Sequence, residues 1–419
     1  MVLVKKRAAA VLAAVLLTAG CKGEGVESVT PFPKQPQEKA ELTIMHVDKG
    51  KDGFEAFIQE AEKRLGITIH VKECPDNADN RQAEIATILS SGDASVDVIT
   101  VNDEMISEFK YKGYLTPLDA EVMTDEIKSH YPEEYLEDMC MADGRVYSVP
   151  FLMDVMVFWV NQELLDKAGM QGIETREDME ELSKRLDGQE IFAYGDAWEK
   201  SYVYNTLSQF INLFGGDYQD WSDSHTREAA SYMKEMLDKG VTSSWQMVDQ
   251  HEQMLEKFTS GKYGCIFMYS GSIRTLTVGG IYGKDKIHIA PLPDFGEKAV
   301  NIAAWQYVLN NASQNKEAAI RFLQYAASYE GSLAYAQAMN AFPARLDVIE
   351  GQELNIEGIE EIREYLKGAS LCARPLCVNS MPAISSMGSA FQKYVIGELS
   401  DEQFYAQAQR IIDRYYEGV

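Results

Sequence analysis

The stretch DGRVYSVPFLMDVMVFWVN, Asp143 to Asn161, holds one carboxylate, Asp154, between two runs that read as apolar strands. A carboxylate so placed either lies on a surface turn or faces a wet cavity that needs it. Other acids, amides and aromatics gather at the ends of further strand-like runs. Asp48 follows LTIMHV (42–47), and Asn102, Asp103 and Glu104 follow SVDVITV (95–101). Asp196 and Trp198 follow EIFAYG (190–195), Ser270 and Ser272 follow KYGCIFMY (262–269), and Trp305 lies within NIAAWQYVLN (301–310). In an open α/β sheet, ligands bind outside the carboxyl ends of the strands. Carboxylates and amides bond several hydroxyls at once, which suits a sugar. Aromatic rings pack the apolar C–H faces of a pyranose. The same mixture would hold an organic cation by charge pairing and cation–π contact. Each residue also has a plainer reading. Asp48 and Asp103 could cap the helices that follow, and Trp198 and Trp305 could belong to the core.

Motifs for catalysis are missing. HEQML (251–255) begins like a zinc-protease helix but has Leu255 where the second His belongs. The chain has no GxSxG elbow and no Gly-rich loop ending in GK[ST], and its six His are scattered. A glycosidase needs two carboxylates at no fixed sequence spacing, so that reading stays open as a minor one. The six Cys include no CxxC pair. Cys372 and Cys377, in CARPLC, could close a small loop, whereas Cys74, Cys140 and Cys265 are dispersed. Neither a zinc site nor a disulfide framework follows, and no metal or cofactor is expected.

The elements that must position these residues alternate. A strand at 42–47 leads to a helix over 53–65 with Phe54, Phe57, Ile58, Ala61 and Leu65 on one face. GITIHV (66–71) reads as a second strand, residues 79–90 as a helix, and 95–101 as a third strand. This pattern predicts a parallel sheet covered by helices. Residues 200–260 are mostly helical, with Gly215-Gly216 and Gly240 as stops. Strand character returns at 286–293 and 301–310, and a long helix opens at NKEAAIRFLQYAAS. Ser400 and Gln403 form a capping box for the last helix.

The N-terminus reads as an export signal. Lys5, Lys6 and Arg7 precede an apolar run over Ala8 to Leu17 that is too short to span a bilayer comfortably. LLTAGC then ends at Cys21 in the manner of a bacterial lipobox, whose Cys is acylated. Residues 1–20 are read as a lipoprotein signal peptide and 21–40 as a lipidated flexible tether rich in Gly, Pro, Ser, Glu and Gln. Removing residues 1–20 with their three cations takes the net charge from −26 to −29. Such a surface repels nucleic acid and anionic headgroups. The remaining length suits two domains.

The order of motifs along residues 40–419 resembles the extracellular solute-binding proteins of carbohydrate ABC transporters, of the maltodextrin-binding type. SVDVITVNDEMISEFKYKGYLTPLD is similar to that family's strand, ligand acid, helix and G-x-L-x-P-L turn. DGRVYSVPFLMDVMVFWVNQELLDKAG resembles its first crossover between domains. FTSGKYGCIFMYSG, LPDFGEKAVNIAAWQYVLNNASQNKEAAIRFLQYAAS and FPARLDV resemble later blocks in the same order.

The resemblance implies an α/β, two-lobed periplasmic-binding-protein-like fold, each lobe a β-sheet flanked by helices, with the ligand cleft at the hinge. It implies lobe 1 over 41–152 plus 290–340 and lobe 2 over 153–289 plus 341–419. Asp103 would bond sugar hydroxyls, and Asp154 would face the cleft at the crossover. Asp196 and Trp198 would fall near a loop that supplies an acid and a stacking ring. Ser270-Gly271-Ser272 stands where many members carry a tryptophan, and Trp305 or Tyr269 would replace that platform. Arg345 in FPAR would sit at a later crossover, and Arg374 would reach the cleft. The implied function is capture of a sugar or oligosaccharide by lobe closure. Delivery to ABC permease subunits would follow, by a monomer tied through Cys21 to the outer face of the cytoplasmic membrane. A cationic solute such as a polyamine, or a ligand-sensing role, is the alternative.

Overall fold

A computed structural model describes residues 40–75, 78–186 and 190–416. The expected signal peptide, Cys21 and the tether up to residue 39 lie outside the described residues. No helix among the described residues is long and apolar enough to cross a membrane. Among the described residues, eleven strands run in chain order: β1 (Glu41–His46), β2 (Thr68–Glu73), β3 (Val98–Asn102), β4 (Met141–Ala142), β5 (Arg145–Val146), β6 (Ser148–Asn161), β7 (Phe192–Gly195), β8 (Tyr263–Tyr269), β9 (Ile287–Ile289), β10 (Ala299–Leu309) and β11 (Ser370–Ala373).

The expected strand–helix–strand start is present. β1 pairs parallel with both β2 and β3. The Phe54–Leu65 helix buries Phe54, Phe57, Ile58 and Ala61. It ends where Gly66 takes a left-handed φ of 66° and donates its N–H to the Glu62 carbonyl. The second strand therefore begins at Thr68, two residues after the sequence expectation. Ser400 and Gln403 form the expected capping box on the Asp401–Tyr415 helix.

The expectation of two strands around Asp154 is corrected. Ser148–Asn161 is one strand of 14 residues. Its first half pairs antiparallel with β10, and its second half pairs antiparallel with β8 and β9. β10 is likewise shared. Trp305–Leu309 pairs with β3, whereas Ala299–Ile302 pairs parallel with β11. The strand order β2-β1-β3-β10-β6-β8-β7 is thus two half-sheets joined by two long crossing strands. A register shift between Trp305 and Gln306 falls opposite Pro150, which pairs with Gln306. Proline lacks the N–H a regular ladder needs, and a bulge is where a sheet tolerates it.

Helices cover both half-sheets. The Phe54–Leu65 helix packs on the Lys316–Ala327 and Tyr329–Met339 helices. The Tyr204–Leu213 helix packs on the Ser224–Asp238 helix and on β10. Gln209 completes the edge of β10 as a strand would. Its Nε2 donates to the Ala299 carbonyl at 2.8 Å, and its Oε1 accepts the Asn301 N–H at 2.7 Å. These paired bonds tie the early part of β10 to the second half-sheet.

Candidate functional site

On the crossing strands nearly every side chain is buried, and the exceptions share one face. Leu152 and Asp154 on β6, and Ala303 and Trp305 on β10, are partly exposed. Trp305 lies opposite both Leu152 and Asn102, and Ala303 lies opposite Asp154. Directly opposed residues project to the same side of a sheet. Asn102, Trp305, Leu152 and Asp154 therefore form one floor where the chain passes between half-sheets. Tyr269, also partly exposed, continues it opposite Met156. The Arg81 guanidinium stands over the Trp305 ring at 5.2 Å.

Asp154 joins this floor to the loop after β8. Its Oδ1 accepts the Gly271 N–H at 2.7 Å and the Ser270 hydroxyl at 3.4 Å. Burial pushes its pKa up to about 6, against these two bonds. A Cβ on Gly271 would lie 2.7 Å from Asp154 Oδ1, so only glycine admits this approach without a shift. Ser270 Oγ also accepts the Val155 N–H at 3.1 Å. Ser272 is buried, and its hydroxyl has no hydrogen-bond partner among the described residues.

The acids after β3 belong to a closed polar network. Asn102 accepts the Met105 N–H and caps the Asp103–Phe109 helix, so the cap expected of Asp103 falls one residue earlier. Asp103 is fully buried and accepts from Tyr135 OH, Gln306 Nε2 (3.0 Å), Ala304 N–H (3.2 Å) and Arg374 Nη2 (3.0 Å). Burial raises its pKa, and Arg374 opposes that. Glu104 is partly exposed. Burial pushes its pKa up as well, but Arg374 and Tyr204 outweigh that and hold it below the usual range. Asp48 is buried, pairs with Lys51 at 2.7 Å and accepts from Tyr335 OH. It caps no helix: the Phe54–Leu65 helix begins from Gly53.

Other expected contacts lie in the core. Trp198 has no exposed surface, packs edge-on against Phe391 and donates Nε1–H to Asp196 at 2.9 Å. Asp196 is equally buried and also accepts from Ala197 N–H, Tyr194 OH and Thr206 Oγ1. Burial pushes its pKa to about 6. Neither residue presents an open face to a ligand, which corrects the expectation of an acid and a stacking ring at this loop.

FPAR does reach the crossing. Met153 N–H bonds the Phe342 carbonyl at 2.9 Å, and Leu152 bridges to Pro343. Arg345 turns away instead. It is buried, donates to the Ala327 carbonyl at 2.6 Å and pairs with Asp347 at 2.6 Å. Cys372 and Cys377 are both free thiols, so the small disulfide loop does not form.

Sequence reasoning missed Tyr204, Asn205, Gln306 and Tyr135. The first two sit in the opening turn of a buried helix of mixed polarity, and Gln306 sits in a largely apolar strand. Their contacts in the polar network join residues 32 or more positions apart, brought together only by folding, so no local signal marks them. Among the described residues, no cluster of three or more His, Cys, Asp or Glu is placed to hold a metal ion.

Two half-sheets sharing two crossing strands, with a polar and aromatic floor at the crossing, define a two-lobed solute-binding architecture. The chain belongs to the bacterial extracellular solute-binding protein family, whose model matches residues 48–332. It is 24% identical over 304 residues to a Brucella abortus protein named as a binding protein, covering 69% of this chain and 70% of that one. It is 24% identical over 368 residues to the maltodextrin-binding protein MdxE of Bacillus subtilis, covering 82% of each. Its fold matches an ABC transporter solute-binding protein of Thermotoga lettingae bound with alpha-D-tagatose, with TM-score 0.76 and 17% identity. That match covers 90% of this chain and 99% of the other.

Proposed function

We propose that this chain captures a neutral sugar or oligosaccharide on the floor formed by Asn102, Trp305, Leu152 and Asp154, and delivers it to an ABC permease. The observation that carries this reading is the pairing of Trp305 with Leu152 beside Asp154 on two crossing strands. One face then offers a ring for C–H contact and a carboxylate and an amide for hydroxyls. The sugar-binding relatives and structural neighbours support the same ligand class.

The charges favour a neutral ligand over a polyamine. Asp48 pairs with Lys51, Asp103 and Glu104 share Arg374, and Asp154 already accepts a backbone amide. An organic cation would need carboxylates that are not already matched. Arg345, Asp196 and Trp198 are left out of the contact set because each is enclosed by protein.

Binding proceeds by closure of two lobes, each with half the contacts. We infer that the chain changes lobe near Asp154 on β6, again on β10 near Ile302, and a third time after the Leu346–Glu350 helix. The Leu346 N–H to His130 carbonyl bond, at 2.8 Å, supports placing that helix with lobe 1, although the sequence reading began lobe 2 at residue 341. LLTAGC supports lipid at Cys21 and a place on the outer face of the cytoplasmic membrane. No chemical step is required of a monomeric carrier of this kind.

The test is a thermal-shift panel of mono- and oligosaccharides, polyols and polyamines on the purified protein. A ligand that binds only the folded state raises the melting temperature by mass action, worth about 2.7 kcal/mol at a hundredfold excess over Kd. A rise with one sugar class is expected. A rise with polyamines alone would overturn the ligand assignment.

A further inference from the structure

Arg374 follows β11 and is 6% exposed, yet its guanidinium makes charge-assisted bonds in two directions. Toward the first half-sheet, Nη2 bonds Asp103 and Glu104 at 3.0 Å each, and Nη1 bonds the other Glu104 oxygen. Toward the second, Nη1 bonds Tyr204 OH at 2.6 Å and reaches Asn205 Oδ1 at 3.5 Å. Tyr204 OH also donates directly to Glu104, and Tyr269 OH donates to Asn205 at 3.0 Å. Asp103 and Glu104 open a helix that packs on β3 and β10. Tyr204 and Asn205 lie in the first turn of the helix that Gln209 ties to the early part of β10. The first turns of two helices from opposite half-sheets thus meet on one cation.

We propose that Arg374, Glu104 and Tyr204 form a latch between the lobes that favours the closed arrangement before any solute arrives. This deepens the reading of a two-lobed binder and rests on it. Every group in the latch comes from the chain itself, so its interaction does not wait for a ligand. Charge-assisted bonds are the stronger kind, and enclosure away from water strengthens them further. Apparent affinity scales with the fraction of protein already competent to bind. The latch therefore sets affinity without touching the solute, and Arg374 is a positioning residue here rather than the direct contact expected from sequence.

The test is small-angle scattering of the purified protein without added ligand, comparing wild type with Tyr204→Phe, Glu104→Gln and Arg374→Gln. Tyr204→Phe keeps every charge and the ring, removing only the hydroxyl that bonds both Glu104 and Arg374. If Arg374→Gln leaves Asp103 without its cation and fails to fold, Glu104→Gln, which removes the charge partner on the other lobe, and Tyr204→Phe carry the test. The expected result is a larger radius of gyration in the folded variants than in wild type, as hinge opening gives, with a cooperative melt retained. Equal radii in wild type and in every folded variant would overturn the latch. The readout uses no sugar, so it is separable from the ligand panel. Equal radii alongside intact sugar binding would remove the latch and keep the binding function.

Discussion

Asp154 accepts the Gly271 backbone N–H at 2.7 Å, and this bond fastens the middle of β6 to the loop after β8. It accounts for a carboxylate inside an apolar strand. The acid sits on the one partly exposed face of a crossing strand and is held by two donors from across the sheet. Its pKa near 6 stands well above the ordinary 3.8, because burial disfavours the anion.

That shift fixes a pH dependence. The folded state binds the proton more tightly than the unfolded chain, so this group's contribution is fully present below pH 3.8 and is lost as pH rises through about 6. Asp154→Asn keeps an acceptor for Gly271 and removes the titration. Chemical denaturation from pH 4 to 7 should show the variant losing about 2 kcal/mol less stability than wild type over that range. Parallel profiles for the two proteins would refute the shift.

Trp198→Ala should cost stability and not binding specifically. Its ring fills the core against Phe391, and removing a buried tryptophan typically costs about 3–5 kcal/mol. A denaturant midpoint within error of wild type would count against this placement.

Trp305→Ala should behave in the opposite way. The ring is partly exposed on the floor, and losing a stacking platform should weaken sugar binding by about 10- to 100-fold. The melting temperature of the free protein should fall much less than in Trp198→Ala. Calorimetry with the sugar found in the panel measures the first quantity, and a thermal melt measures the second.

Gly271→Ala should disturb Asp154 directly. The added methyl carbon would meet Asp154 Oδ1 at 2.7 Å, so the carboxylate must turn away from the amide it now accepts. Sugar affinity should fall toward that of Asp154→Ala. Wild-type affinity in Gly271→Ala would show that the bond to Gly271 does not position the acid for binding.

Much of the fold was legible because local patterns dictate it. β1, the helix after it and β3 follow from apolar periodicity, whereas the caps at Gly66 and Asn102 came only with the structure. The continuity of β6 was not legible. Asp154 and Pro150 are residues that normally interrupt strands, and here a bulge and a half-exposed face accommodate them. Site residues divided along the same line. Position after a strand pointed to Asn102, and the family resemblance pointed to Asp154; both lie along the crossing strands. Sequence position could not tell that Asp196 and Trp198 bond each other inside the core. Nor could it tell that Arg374 is consumed by Asp103 and Glu104, a pairing across about 270 positions that only folding brings together.

Trp305 offers the most direct probe of the binding floor. Of the five tryptophans, Trp159, Trp198 and Trp221 are buried, Trp245 is exposed beside Phe192, and Trp305 lies on the floor. A fluorescence titration of wild type and Trp305→Phe with the sugar identified in the thermal panel reads that position alone. A saturable emission change in wild type that is largely absent in Trp305→Phe is the predicted result. An identical change in both proteins would place the sugar elsewhere and contradict the assigned cleft.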